Sequence, residues 1–208
     1  RAENAVRYVS PSFSGLTVSL YKSNKQTKSG TGVATDTNFS TSLGAYDQIG
    51  TQEVGVNYAN GPLAASFSSL KQDSKNVGTG TTDSTVNTLG ANYAIGAAKV
   101  FALYQTNKYD NNGKDTNFMS GGVDYAMGAI TLKALYGVHK NDLATGDKKS
   151  NILGLGADYA LSKRTALYAR YESIDDKANV VAMTSSTGFD SYTSDKRTRT
   201  AIGVRHSF

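Results

Sequence analysis

The sequence predicts an all-β chain whose strands cross a membrane as an antiparallel β-barrel, and three observations carry that reading. Period-2 alternation of apolar and polar residues recurs from end to end, whereas helical periodicity is poor throughout. Connections alternate strictly between tight turns and long polar loops. A pentapeptide pattern also recurs just before successive turns: Gly55-Val56-Asn57-Tyr58-Ala59, Gly90-Ala91-Asn92-Tyr93-Ala94, Gly122-Val123-Asp124-Tyr125-Ala126 and Gly156-Ala157-Asp158-Tyr159-Ala160. Its spacing of 35, 32 and 34 residues marks a repeated hairpin. A looser copy, Gly203 to Ser207, precedes the final Phe208.

Eleven strands are expected, in order at 4–11, 16–23, 52–60, 63–71, 85–95, 98–107, 117–126, 129–140, 150–160, 165–173 and 199–208. Ser12 to Gly15, Asn60-Gly61-Pro62, Gly96-Ala97, Met127-Gly128 and Leu161 to Arg164 read as tight turns. Between them lie loops at 24–51, 72–84, 108–116, 141–149 and 174–198, rich in Ser, Thr, Asn, Asp and Lys. Short connections on one side and long ones on the other fit an outer-membrane barrel, and strands near ten residues fit a tilted crossing.

Parity tells which face meets what. In 129–140, Ile130, Leu132, Ala134, Tyr136 and Val138 alternate with Thr131, Lys133, Gly137 and His139, Leu135 being the exception. In 150–160, Leu153, Leu155, Ala157 and Tyr159 alternate with Gly154, Gly156 and Asp158. In the last strand, Ile202, Val204, His206 and Phe208 oppose Arg199, Ala201, Gly203 and Arg205. Strand 98–107 stays ambiguous, because Val100 and Phe101 compete for the apolar face. Gly, Asn, Asp, Lys and Arg pack badly and lose much on burial, but line water without cost. The apolar face therefore points outward to lipid and the polar face inward. No charged strand-centre residue is expected on the lipid side, where one would cost about 2–4 kcal/mol at mid-membrane. Tyr58, Tyr93, Tyr125 and Tyr159 share the apolar parity and the same height above the short turns, as in an aromatic girdle.

Composition removes other classes. The 208 residues include no cysteine, so disulfides and thiolate metal sites are excluded. No run approaches the ~18 apolar residues of a membrane helix, which leaves a barrel open. A net charge of +5 is scattered or sits in loops, without a basic–aromatic stacking surface, so no nucleic-acid partner is expected. His139 and His206 lie on different strands and form neither a triad nor a metal pair. Asp110-Asn111-Asn112-Gly113 lacks the spacing and closing Glu of a calcium loop and reads as an Asn-Gly turn. Gly78-Thr79-Gly80 and Gly154-Leu155-Gly156 are followed by no helix, so neither is a phosphate loop. Asp175 and Asp176 are the only paired acids for hydrolysis, and no enzyme, cofactor or metal is expected. What remains is electrostatic: inward-parity Arg7, Lys133, Arg170, Arg199 and Arg205 against Glu53, Asp124, Asp158 and Glu172, a distribution suited to selecting ions.

Three segments carry a family resemblance: Arg7-Tyr8-Val9-Ser10-Pro11-Ser12-Phe13-Ser14-Gly15-Leu16, Tyr159-Ala160-Leu161-Ser162-Lys163-Arg164-Thr165 through Tyr168, and Gly203 to Phe208. In these the chain resembles the trimeric general porins of beta-proteobacteria, the Neisseria and Burkholderia type. The resemblance implies a sixteen-stranded barrel in the bacterial outer membrane, a homotrimer set in outer-membrane lipid, and a water-filled channel for small hydrophilic solutes with mild anion preference. It also implies that Phe208 is read by the barrel-assembly machinery, and that Arg7 stands beside the constriction, with Lys133, Arg170 and Arg205 lining the pore. About eleven strands fall short of sixteen, so residues 1–208 are expected to form one porin domain lacking its N-terminal strands and constriction loop. A non-conducting outer-membrane barrel or a secreted β-rich adhesin are the alternatives.

Overall fold

A computed structural model of the chain describes residues 4–27, 46–76, 80–81, 83–110, 115–143, 146–177 and 196–208. Among these residues there is no helix. The strands are β1 (Ala5–Val9), β2 (Leu16–Thr27), β3 (Tyr46–Asn60), β4 (Leu63–Asn76), β5 (Gly80–Thr81), β6 (Ser84–Ile95), β7 (Ala98–Tyr109), β8 (Thr116–Met127), β9 (Ile130–Leu143), β10 (Gly146–Ala160), β11 (Thr165–Asp176) and β12 (Lys196–His206). Apart from β5, which pairs only with β4, the strands hydrogen-bond in chain order. The eleven expected strands are thus present, and β5 is the one short addition.

The main correction is at the loop ends. β2 runs to Thr27, β3 begins at Tyr46 and β10 begins at Gly146, all inside segments expected as polar loops. Backbone ladders do not require apolar side chains, so pairing continues where the alternating pattern has already turned polar. At the other end β12 stops at His206, and Phe208 lies beyond it. The remainder of the long loops, including 28–45 and 178–195, falls outside the described residues.

At the short turns the expectation holds in detail. Gly61, Gly96 and Gly128 have φ of 55°, 57° and 59°. Each is the first of two residues linking paired strands, as in Asn60↔Leu63 and Met127↔Ile130. A two-residue hairpin loop with positive φ at that position calls for glycine, and it matches the twist of the strands.

The chain divides into two compact units, residues 1–89 with 105–115, and residues 90–104 with 116–208. In the first, β2, β3 and β4 form antiparallel ladders with Val18↔Val56 and Val56↔Phe67 in register. Val54 and Phe67 are exposed on one face, and Gly55 is buried on the other. In the second, β8 to β12 pair antiparallel, with Leu132↔Ala157 and Ala169↔Ile202 in register. Here Leu132, Leu155, Leu167 and Ile202 are exposed on one face, while Gly137 is buried on the other. Ile174 is the only buried apolar side chain among the described residues. A sheet with its greasy face bare and almost no interior is the reverse of a water-soluble fold.

Strand 98–107 is settled by β7. Val100 and Tyr104 are exposed on the apolar face, whereas the Phe101 ring lies across Gly122 on the polar face. Charged residues on the apolar parity stand toward the loop-side strand ends: Lys22, opposite Val6, Lys71, opposite Gln52, and Lys140, opposite Lys149.

Candidate functional site: a charged ladder on the glycine-rich face

On β8 to β11 the hydrogen-bond register sets charges of alternating sign side by side. Asp124 stands directly opposite Lys133, and the lysine Nζ donates to Asp124 Oδ2 at 2.9 Å. The same ammonium lies 3.7 Å from Asp158 Oδ2 on β10. Asp158 is in turn ion-paired with Arg170 on β11. Arg170 uses its other terminal nitrogen to donate to the carbonyls of Ala157 at 3.0 Å and Ala169 at 2.8 Å. The sequence Asp124–Lys133–Asp158–Arg170 is therefore one continuous ladder across four strands. Its cross-strand pairs, each partly open to water, contribute about 0.2–1 kcal/mol apiece.

The glycines of the repeated motif make the ladder possible. A methyl group on Gly156 would meet Arg170 Cδ at 3.1 Å, so its absence lets the arginine stem lie flat across β10. Likewise Gly122 receives the Phe101 ring and Gly203 the Tyr168 phenol, where an added Cβ would collide with Phe101 Cζ and with the Tyr168 hydroxyl. Arg170 Cζ stands 5.3 Å from the centre of the Tyr168 ring, close enough for a cation–π contact.

Further along the same face a second cluster forms, in which Glu172 accepts from Arg199 Nε at 3.0 Å and Arg197 Nη2 at 3.2 Å. Sequence reasoning misses Arg197 because it falls in an expected loop, although its parity with Arg199 and Ala201 is a usable signal. Arg205 lies opposite Ala166. It has no hydrogen bond or ion pair among the described residues. In the first unit, Arg7 is opposite Tyr21, and Tyr21 is opposite Glu53, so Arg7 and Glu53 share a face but are separated by one strand. On the described polar face of the second unit, Lys99, Lys133, Arg170, Arg197, Arg199 and Arg205 stand against Asp124, Asp158, Glu172 and Asp176. Six cations less four acids leave +2.

The two histidines lie in separate settings, on β9 and β12. His139 lies opposite Ser150, whose hydroxyl donates to Asp176 at 2.5 Å, so the register brings a histidine, a serine and an aspartate together that the sequence does not show to be neighbours. His206 instead contacts Thr165 at 2.8 Å and meets the Phe208 ring edge-on at 5.0 Å. Asn111 to Gly113 and Gly78-Thr79 lie outside the described residues.

A family model described as Gram-negative porin matches residues 1–179. The chain belongs to that family. It is 32% identical over 216 residues to the outer membrane porin protein 32 of Delftia acidovorans, covering all of this chain and 57% of the relative. Among solved structures it is similar to an anion-selective porin from Comamonas acidovorans, with 27% identity and a TM-score of 0.72. That match covers 100% of this chain and 60% of the neighbour. OmpT of Vibrio cholerae shares the fold at 18% identity with a TM-score of 0.64, covering 97% of this chain and 63% of that one. The chain thus spans less than two thirds of the length of these relatives. Membership places it in the bacterial outer membrane, as an antiparallel barrel wall of the porin type. A porin wall has its apolar band toward lipid.

On the outer face of this porin wall, Tyr93, Tyr125 and Tyr159 are exposed and Tyr58 half-buried. Tyr58 pairs with Leu16 and Ala65, Tyr125 with Leu132, and Tyr159 with Ile130 and Leu167. All four stand one or two residues from the turn-side end of their strands.

Proposed function

We propose that the protein is a water-filled channel for passive diffusion of small hydrophilic solutes and ions, with mild preference for anions, and is not an enzyme. The observation that carries this is the net positive balance on the ladder face. Asp124, Asp158 and Glu172 are occupied by Lys133, Arg170, Arg197 and Arg199, while Arg205 makes no hydrogen bond or ion pair among the described residues and acts on Asp158 only through space. A positive lining concentrates anions and repels cations over about one Debye length. The similarity to a porin described as anion-selective supports the same sign.

On this reading Arg7, Lys133, Arg170 and Arg205 line the pore with Glu53, Asp124 and Asp158. Tyr58, Tyr93, Tyr125 and Tyr159 form the turn-side girdle in contact with outer-membrane lipid. Phe208 ends the strand recognised by the barrel-assembly machinery, and three copies assemble as a homotrimer. Unpaired sheet edges are not tolerated in lipid, and the chain covers 57% of its relative. Both support a single barrel domain closed by further strands and a constriction loop beyond these residues. The test is planar-bilayer recording of the full-length protein carrying this chain. Stepwise conductance is expected, and insertion without conductance would leave a non-conducting barrel instead.

A further inference from the structure

The polar face of β7 to β11 is not polar throughout. Leu135, the apolar residue that breaks the alternation of β9, stands on it between Gly122 of β8 and Gly154 of β10. Ile152 follows one row toward the loop side, between Gly137 and Ile174. On the other flank the Phe101 ring lies over Gly122. Phe101, Leu135 and Ile152 are all half-buried. Gly154 and Gly156 add no side chains, which leaves a recess of about 380 Å³, lined by these three residues together with Asp124, Lys133, Arg170 and Glu172.

The size falls within the ~300–1,000 Å³ of small-molecule sites. The charged lining is balanced, two cations against two acids. A simple ion therefore loses to one pair what it gains from the other. Asp124 and Lys133 stand opposite each other, joined at 2.9 Å, and each keeps about a third of its side chain open to water. That pair is an accessible dipole, and Gly122 and Leu135 form the next row of the same face. Apolar surface on a wetted wall gains from an apolar cover. The recess thus makes two demands that one ligand can meet: adjacent opposite charges, and an apolar body beside them.

We infer that the recess binds a zwitterionic amino acid with an aromatic or branched apolar side chain, an inference that rests on the channel reading. The ligand lies antiparallel to the protein's own dipole, its carboxylate on Lys133 and its ammonium on Asp124. The Lys133–Asp124 bond need not break, because an ammonium has three donors and a carboxylate about four acceptor sites. The ligand's side chain then covers Phe101, Leu135 and Ile152. A hydrophobic carboxylate lacks the group that Asp124 takes, and glycine lacks the body that the apolar floor takes.

The test is planar-bilayer recording of the full-length protein carrying this chain, at neutral pH, with L-phenylalanine, glycine, phenylacetate or phenethylamine added. Binding is read from solute-induced current fluctuations. Phenylalanine is expected to bind at least ~tenfold more tightly than glycine, through its apolar contacts. It should bind about fivefold more tightly than either singly charged analogue, as one exposed ion pair contributes. L135Q and I152T should each weaken phenylalanine about fourfold, the equivalent of one methylene withdrawn from contact. D124N should bind phenylacetate as well as phenylalanine. Phenylalanine no tighter than glycine, or phenylacetate equal to it in the wild type, overturns the inference, as does undiminished binding in L135Q/I152T. Absence of conductance removes the channel reading and the inference with it, whereas conductance undisturbed by phenylalanine removes the inference alone.

Discussion

Arg170 and Arg205 sit on neighbouring strands and face the same side, yet their circumstances are opposite. Arg170 is pinned: its guanidinium is shared between Asp158, two backbone carbonyls and the Tyr168 ring. Arg205, opposite Ala166, makes no hydrogen bond or ion pair among the described residues and acts on Asp158 only through space. A pinned cation organises the wall and largely cancels its own field. A free one leaves its field in the lumen. The ladder on β8 to β11 is thus chiefly structural, and on the proposed channel reading the selectivity of this part of the wall would rest on the charges that the ladder leaves over.

The comparison breaks most sharply at Asp158, which joins both halves of the ladder and whose side chain is only 15% exposed. Asp158→Asn should release Lys133 from one partner and Arg170 from its only carboxylate. The expected loss is about 1–2 kcal/mol, at the low end for charge-assisted bonds because both cations remain about a third open to water. Urea unfolding of the full-length protein in lipid vesicles measures it. The same variant should strengthen anion preference, since two cations gain field as one acid disappears.

Asp124→Asn is the milder disruption. Lys133 keeps Asp158 at 3.7 Å, so the stability loss should stay under about 1 kcal/mol, again by urea unfolding. A loss equal to that of Asp158→Asn would mean that the ladder does not share its load through Lys133. Smallest is Arg205→Gln, which removes no partner and should change stability by no more than about 0.5 kcal/mol.

Much of this wall is legible in its amino acids. Alternation in 129–140 and 150–160 assigns both faces, and the turn at Gly128-Ala129 fixes Asp124 opposite Lys133 by counting back from Met127 and Ile130. The link from Lys133 to Asp158 is not legible in the same way. It depends on the β9–β10 register, which is set across a loop whose length alone does not define pairing. Phe101 is ambiguous because apolar residues occupy both parities of β7, and only the space above Gly122 decides which one turns inward. The loop-side strand ends leave no mark in the alternation, because polar residues pair through their backbones whatever their side chains. By composition the motif glycines are simply small and water-facing. Gly122 and Gly156 are more specific than that, each accepting one large side chain from an adjacent strand.

The central claim is that uncommitted positive charge on the inner face biases the channel toward anions. It is tested most directly by the reversal potential of the full-length protein in a salt gradient near 0.1 M, where screening extends only about 10 Å, with Arg205→Glu alongside. The account predicts an anion-selective potential in the wild type that shrinks in the variant and fades near 1 M salt. A cation-selective wild type, or an Arg205→Glu variant with unchanged potential, would contradict it.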